Sequence, residues 1–304
     1  MTIIDRLDPA LRHLAEARTD LSPGVLGVVR DSLNRRRAET VKTVNDVGVE
    51  IENRMARSVP VRIYRGGPAP APAVIYCHSG AFVLGNLDTD HLQCVELARR
   101  GCCTVLSVDY RLAPEHPYPA ALDDAAAVLN WATECAAELG IDASRLAVGG
   151  TSAGAALAAG LAQRAAESAA PPVLFQLLHQ PVLDDRPTGS KNEFATTPGF
   201  DAPAAAMMWR HYLADAPAQA AAVPARVTDL SGVPSAFISC SELDPLRDEA
   251  VDYARRLMRA GVAAELHVFP GTCHGFDSLA PEWDVSVRLF ELAGAALRRA
   301  LHGS

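Results

Sequence analysis

The sequence has 304 residues, of which 49% are hydrophobic and 21% charged, enough for one large domain with a full core. Its net charge of −8 argues against nucleic acid as a partner. The first residues lack the basic-then-apolar pattern of a signal peptide and no run of about 18 apolar residues occurs, so we expect a cytoplasmic protein without a membrane span. Seven cysteines without regular spacing fit a reducing compartment better than a disulfide framework.

The beginning of the chain combines a helical segment with two predicted strands. Residues 1–40 carry helical apolar spacing, and the three arginines at 35–37 are interpreted as a solvated helix end. Strands are predicted over 46–53 and 58–65, and we expect them to form an antiparallel edge. The Pro/Ala-rich stretch 66–72 is predicted to be a turn, because it is too short for an interdomain linker.

Short apolar strands then alternate with helices. Strands are predicted over 74–77, 103–108, 145–149, 173–179, 235–240 and 263–269. Helices are predicted over 88–100, 119–139, 153–167, 246–260 and 284–301. This alternation predicts an α/β fold with a mainly parallel sheet covered by helices on both faces.

The strand at 145–149 runs into the pentapeptide Gly-Thr-Ser-Ala-Gly at 150–154, followed by an alanine-rich helix. Small residues on both sides of Ser152 allow the sharp strand-to-helix turn that exposes a serine hydroxyl above a sheet. Ser152 is therefore the candidate nucleophile.

A phosphate-binding loop is the alternative interpretation of this stretch, because Gly149 and Gly154 bracket four residues as in a P-loop. Ala155 and Ala156, however, stand where that loop needs Lys and Ser/Thr. No G-x-G-x-x-G motif occurs either, which argues against a nucleotide site.

Two further residues complete the order Ser, Asp, His along the chain. Asp244 follows the strand at 235–240, and His274 follows the strand at 263–269. A serine hydroxyl becomes nucleophilic when a neutral imidazole takes its proton, and an anion must then orient the imidazolium. Asp244 is preferred for the anion, although Glu242, Asp248 and Glu249 are close in sequence.

The loop after the strand at 74–77 is a candidate oxyanion hole, because acyl transfer needs backbone N–H donors for the developing negative charge. We expect these donors to be Gly80, Ala81 and Ala153. The pairs Cys77-His78 and Cys273-His274 contain residue types that bind metals, but no further ligand recurs at the short spacing that zinc sites use. We expect neither a metal nor an organic cofactor.

An alanine-rich stretch over about 185–225 lies outside the alternation and is interrupted by Pro187, Pro198, Pro203, Pro217 and Pro224. Its apolar residues Phe200, Met207, Met208, Trp209 and Tyr212, together with Phe82, are candidates for a substrate pocket. An apolar helix face that packs on the core is an equal alternative.

Three longer segments resemble the hormone-sensitive-lipase-like family of α/β-hydrolases, which includes the bacterial family IV esterases. These segments are 108–124, 244–249 and 274–276. The pentapeptide at 150–154 is similar to the Gly-Thr-Ser-Ala-Gly branch. The resemblance implies one α/β-hydrolase domain over 1–304 with a central, mostly parallel eight-stranded sheet. It also implies a helical cap from 1–40 and about 185–225.

The sequence departs from the usual family pattern at three small residues. Ser79 and Ala81 stand where the family has glycines, and Ala155 replaces the last glycine of the elbow. None of these changes removes a backbone donor, but a Cβ at Ser79 or Ala81 strains the loop if its φ is positive.

The resemblance implies a serine carboxylesterase acting on short- to medium-chain acyl esters through an acyl-enzyme intermediate, with Ser152, His274 and Asp244 as the triad. Amides, carbamates or acetylated small molecules are alternative substrates for the same triad. A non-catalytic receptor, like the plant gibberellin receptors of this family, is a remote alternative because all three triad residues are present. A homodimer is expected from the family, and bulky reagents at Cys273, next to His274, are expected to block the site.

Overall fold

An eight-stranded sheet forms the centre of the fold in the computed structural model, which describes residues 2–214 and 221–303. The strands are Glu50–Ala56 (β1), Val59–Arg65 (β2), Ala71–Cys77 (β3), Thr104–Val108 (β4), Ile141–Thr151 (β5), Phe175–His179 (β6), Ser235–Leu243 (β7) and Ala264–Cys273 (β8). Their order across the sheet is β1-β2-β4-β3-β5-β6-β7-β8. Strand β2 pairs antiparallel with β1 and β4, and the remaining pairs are parallel. The predicted sheet with its antiparallel edge is confirmed.

Helices connect the strands and cover the sheet. Those in the described residues are Ile3–Arg6 (α1), Leu26–Val41 (α2), His91–Gly101 (α3), Ala120–Glu134 (α4), Ala136–Leu139 (α5), Ala153–Ala166 (α6), Gly189–Glu193 (α7), Ala202–Leu213 (α8), Arg247–Arg259 (α9), Phe276–Leu279 (α10) and Asp284–His302 (α11). No helix in this part of the chain is long and apolar enough to cross a membrane.

The core divides into two layers, one on each face of the sheet. Neighbouring residues of a parallel strand point to opposite faces, so Ile75 joins the layer with α4, α6 and α9, whereas Val74 joins the layer with α3 and α11. The central strands β3 and β4 are buried along their whole length, which explains their nearly continuous apolar sequence.

Several element boundaries differ from the sequence prediction. Strand β1 begins at Glu50 rather than at 46, because residues 46–49 form a turn closed by the amide of Val49 on the carbonyl of Asp46, with Gly48 at φ 85°. The helix predicted over 119–139 is interrupted at Cys135.

The three arginines at 35–37 lie inside α2, well before its end at Val41, so their interpretation as a helix end was wrong. Pro217, which falls in the predicted cap, lies outside the described residues.

Candidate active site

Ser152 occupies a sharp turn between β5 and α6. Its backbone is held at φ 57° and ψ −118°, a conformation that side-chain-bearing residues rarely adopt. Its amide donates to the carbonyl of His179 at 2.8 Å, and its carbonyl accepts the amide of Ala155 at 3.1 Å. The turn thus ends the parallel ladder and starts the helix within one residue.

The two glycines of the pentapeptide are needed because β3 passes directly behind the turn. A Cβ atom on Gly154 would lie 1.9 Å from the carbonyl oxygen of Cys77, and one on Gly150 would lie 2.5 Å from the same oxygen. No side chain fits at either position without moving the backbone. Glycine at positions 150 and 154 is therefore explained by the close packing of the turn against the backbone of β3.

The side chains of Ser152, His274 and Asp244 form a continuous hydrogen-bonded row. Nε2 of His274 is 3.0 Å from Oγ of Ser152, and its Nδ1 is 2.8 Å from Oδ2 of Asp244. An ionised carboxylate only accepts, so Nδ1–H donates to Asp244 and the neutral Nε2 is left to accept from the serine hydroxyl. This is the arrangement that general-base activation of a serine requires.

Asp244 is held beside His274 by burial and by its own backbone surroundings. It lies at the end of β7, is fully buried, and its Oδ1 accepts the amide of Leu246 at 2.8 Å. The three competing acids are bonded elsewhere: Glu242 to Arg6 and Gly271, Asp248 to Ser190 and Arg247, and Glu249 to Leu183 and Lys191. The structure brings Asp244, and none of those three, to His274.

The predicted oxyanion loop adopts a left-handed backbone over three consecutive residues, with φ of 130° at Gly80, 56° at Ala81 and 60° at Phe82. A Cβ on Gly80 would lie 2.1 Å from the carbonyl oxygen of Leu84, so glycine is required there. Ala81 carries its Cβ at positive φ, which is the strained case anticipated from the sequence, whereas Ser79 does not.

Three backbone amides near Ser152 are available to a ligand. Within the described part of the chain, the N–H groups of Gly80, Ala81 and Ala153 donate no hydrogen bond. Ala81 and Ala153 are buried, and an unpaired buried N–H carries an energetic cost unless a ligand satisfies it. These amides can therefore stabilise an oxyanion.

Asp90 ties the oxyanion loop to the turn at Ser152, a role that the sequence did not indicate. Its carboxylate accepts the Ser79 amide at 2.8 Å and the Tyr76 hydroxyl at 3.0 Å. The Tyr76 hydroxyl also lies 2.8 Å from Oγ1 of Thr151, next to Ser152. An Asp just before a helix normally indicates an N-cap, but this side chain makes no capping bond to α3. Nothing local in the sequence distinguishes the two uses.

A cavity of about 520 Å³ contains Ser152, His274, Gly80 and Ala81 on its wall. This volume is typical of sites for small organic ligands. Residues of the N-terminal segment also line this cavity, together with Gly199 and Phe200. The Phe200 ring lies 5.0 Å from the His274 ring, so Phe200 is the predicted cap aromatic that reaches the site.

The other predicted pocket residues do not line this cavity. The structure packs them in or against the core instead. They are Phe82, Met207, Met208, Trp209 and Tyr212. The apolar face of α8 covers the oxyanion loop, with the Tyr212 ring stacked on Phe82 at 3.8 Å. The alternative of an apolar helix face on the core describes them correctly.

No group of three or more His, Cys, Asp or Glu side chains able to hold a metal ion occurs in residues 2–214 and 221–303. Cys77 and Cys273 are buried thiols whose pKa is raised to about 12 by burial. A thiol in this state is a poor metal ligand.

The comparisons with known proteins agree on one family. The family model described as "alpha/beta hydrolase fold" matches residues 74–278. The crystal structure of esterase LipW from Mycobacterium marinum superposes with a TM-score of 0.96 at 58% identity, covering 98% of this chain and 96% of that one.

Two curated relatives from Mycobacterium tuberculosis also align over nearly their full lengths. Esterase LipI is 37% identical, with 98% of this chain and 96% of LipI aligned. Carboxylesterase NlhH is 37% identical, with 97% of each chain aligned. The chain belongs to the hormone-sensitive-lipase-like family of α/β-hydrolases.

Proposed function

We propose that this protein is a serine carboxylesterase that hydrolyses short- to medium-chain acyl esters with water as the final acceptor. The observation that carries the proposal is the hydrogen-bonded row of Ser152, His274 and Asp244, whose Ser152 and His274 share one cavity with Gly80 and Ala81, two residues with unpaired amides. Relatives aligned over nearly the whole chain are named esterase and carboxylesterase, which supports this activity.

In the acylation half-reaction, Oγ of Ser152 attacks the ester carbonyl carbon while its proton moves to Nε2 of His274. The oxyanion of the tetrahedral intermediate accepts hydrogen bonds from the amides of Gly80, Ala81 and Ala153. The carbon–oxygen bond to the alcohol then breaks, and the alcohol leaves with the proton from His274. The product is an acyl ester on Ser152.

In the deacylation half-reaction, His274 takes a proton from water, whose oxygen attacks the acyl carbonyl. The second tetrahedral intermediate expels Oγ of Ser152, which regains the proton, and the carboxylic acid is released. Asp244 keeps the imidazole in the productive tautomer and stabilises its charged form in both halves. No other reactant than ester and water is consumed.

We also propose that residues 1–40 and about 185–225 form a cap on the α/β-hydrolase domain. Their contribution of Arg18, Asn34, Gly199 and Phe200 to the cavity wall supports this assignment. A cap that excludes water strengthens the electrostatic interactions inside the site. The homodimer and the cytoplasmic location stay predictions.

Hydrolysis of amides, carbamates or acetylated small molecules remains the alternative reaction on the same three side chains. A test that separates these is a p-nitrophenyl ester series from acetate to laurate, compared with p-nitroanilide and carbamate analogues. Wild type is expected to favour the esters, and the length series will define the acyl group that fits.

The nucleophile is tested by Ser152→Ala, which is expected to lower kcat by about 10⁴-fold or more. Thermal unfolding of the variant is the control, because the change removes one hydroxyl from a turn that alanine can occupy. A folded Ser152→Ala protein that keeps most of its esterase activity would refute the proposed function.

A further inference from the structure

The wall of the cavity carries positive charge although the protein as a whole is acidic. Among its described lining residues are Arg18, Arg36 and Arg37, and none is Asp or Glu. The full sequence has a net charge of −8, so this sign is opposite to that of the molecule. A concave surface lined by one sign of charge concentrates ligands of the other sign.

The three arginines are not equivalent, because only one of them has partners. Arg18 lies 4.0 Å from a carboxylate oxygen of Asp201 and donates to the carbonyls of Ala15 and Ala17. Arg36 and Arg37 form no ion pair and donate no side-chain hydrogen bond within the part of the chain that the structure describes. Two arginine residues of the cavity wall therefore have side chains that remain available to an anion.

Helix α2 holds these two arginines in a fixed place relative to the catalytic centre. Arg30, earlier in the same helix, donates to the carbonyls of Val83 at 2.5 Å and Ala113 at 2.6 Å, and pairs with Glu115 at 2.7 Å. Val83 follows the oxyanion loop directly, so the helix is bonded to the backbone next to the site. The backbone that carries Arg36 and Arg37 is thus fixed next to the site.

We propose that Arg36 and Arg37 select esters that carry a carboxylate remote from the scissile carbonyl. A guanidinium presents paired N–H donors that match the two oxygens of a carboxylate, and it stays charged at all working pH values. The inference rests on the proposed esterase function and names its substrate class. The carboxylate takes no part in bond breaking, so the reaction yields the same alcohol and acid as for a neutral ester.

The electrostatic origin of this preference makes it sensitive to salt. Arg36 is exposed and Arg37 is half-buried, so mobile ions screen their attraction for a substrate anion. Raising the ionic strength is expected to lower kcat/KM for an anionic ester in the wild type, while kcat/KM for a neutral ester of the same shape stays nearly constant. This measurement needs no variant and is independent of any effect on folding.

The test uses two pairs of esters that differ in charge. For the alcohol side, 4-carboxyphenyl acetate is compared with 4-carbamoylphenyl acetate, and for the acyl side, the mono-4-nitrophenyl ester of adipic acid is compared with 4-nitrophenyl hexanoate. Each substrate is assayed with wild type, Arg36→Gln, Arg37→Gln and the double variant. Arg35→Gln is the matched control, because Arg35 belongs to the same triplet but does not line the cavity.

The double variant is expected to lose about tenfold in kcat/KM for the anionic member of at least one pair, with less than about a twofold change for its neutral partner. The pair that responds identifies whether the anion lies on the acyl or the alcohol side. Equal changes for charged and neutral esters, no change for either, or the same loss in Arg35→Gln would overturn the assignment. The proposed esterase function has a separate readout, because it fails only if neutral esters are not hydrolysed or Ser152→Ala still hydrolyses them.

Discussion

Nε2 of His179 lies 3.1 Å from a carboxylate oxygen of Asp277, and both side chains are buried. His179 supplies the carbonyl that accepts the Ser152 amide, while Asp277 belongs to the short helix that follows His274. Gln93 donates to the second oxygen of Asp277 at 2.8 Å. This pair therefore joins the turn at Ser152 to the segment that contains His274.

The His179–Asp277 pair predicts an acid-dependent loss of stability. Burial alone would raise the pKa of Asp277, but the charge of His179 and hydrogen bonds from His179 and Gln93 outweigh it and lower the pKa from 3.8 to about 2. The ionised carboxylate therefore stabilises the fold above pH 3.8, and this contribution disappears as the pH falls from 3.8 to about 2.

Asp277→Asn is expected to lower the free energy of unfolding at pH 7 by about 3 kcal/mol, because it leaves His179 without its buried anion. It should also flatten the decline of stability below pH 4, measured by urea unfolding at a series of pH values. Asp31→Asn, an exposed carboxylate on α2, is the control and should behave like wild type. An unchanged pH profile in Asp277→Asn would contradict this account.

The acid of the triad is tested by comparing two neighbouring aspartates. Asp244→Asn is expected to lower kcat by about 10⁴-fold, because an amide at this position no longer selects the productive tautomer of His274. Asp248→Asn should stay within about threefold of wild type, since Asp248 bonds Ser190 and Arg247 instead. The loss of kcat in the two variants is measured by steady-state kinetics with one p-nitrophenyl ester. A larger loss in Asp248→Asn than in Asp244→Asn would move the role to Asp248.

Two glycines of helix α6 give a matched pair of variants that test the packing of the turn at Ser152. Gly154→Ala places a methyl group 1.9 Å from the Cys77 carbonyl oxygen, so we expect destabilisation by more than about 4 kcal/mol or no folded protein. Gly160→Ala meets only the flexible Leu122 side chain at 3.3 Å and should stay within about 1 kcal/mol of wild type. Both variants are compared by thermal unfolding and soluble yield, and similar stability of the two would contradict this account of the packing.

Thiol reagents are expected to leave the enzyme active, contrary to the expectation from sequence. Cys273 is buried and burial raises the pKa of its thiol to about 12, so little thiolate forms at pH 8. Cys102 is exposed and should react first with a disulfide reagent such as DTNB. Cys102→Ser should lose that fast reaction, and activity loss that persists in this variant and follows labelling of Cys273 would restore the original hypothesis.

The sheet and the residues at its carboxyl edge were predictable because their signals are local. Buried parallel strands read as short apolar runs, and Ser152, Asp244 and His274 each follow such a run directly. Strand β1 was misplaced because a turn at Gly48 precedes it, and turn residues with scattered apolar neighbours resemble the start of an exposed strand.

The walls of the site could not be predicted because they depend on contacts between distant parts of the chain. The apolar residues of α8 fit a core and a pocket equally well, and only the position of Phe82 beneath Tyr212 decides between them. Arg36 and Arg37 line the cavity because Arg30 bonds their helix to Val83 and Ala113, far along the sequence. Asp90 likewise could not be recognised, because its position before α3 is typical of a helix cap. Its carboxylate instead accepts the amide of Ser79, eleven residues earlier.

The positive φ of Ser152 predicts that the requirements for heat stability and for ester hydrolysis conflict at this residue. A side chain held at φ 57° and ψ −118° costs roughly 1–3 kcal/mol, which glycine avoids. A library screened only for survival after heating should therefore enrich Ser152→Gly, whereas a screen for ester hydrolysis should eliminate it. Any programme of thermostabilisation has to couple its selection to catalysis at this position, because the two pressures act on the same residue in opposite directions.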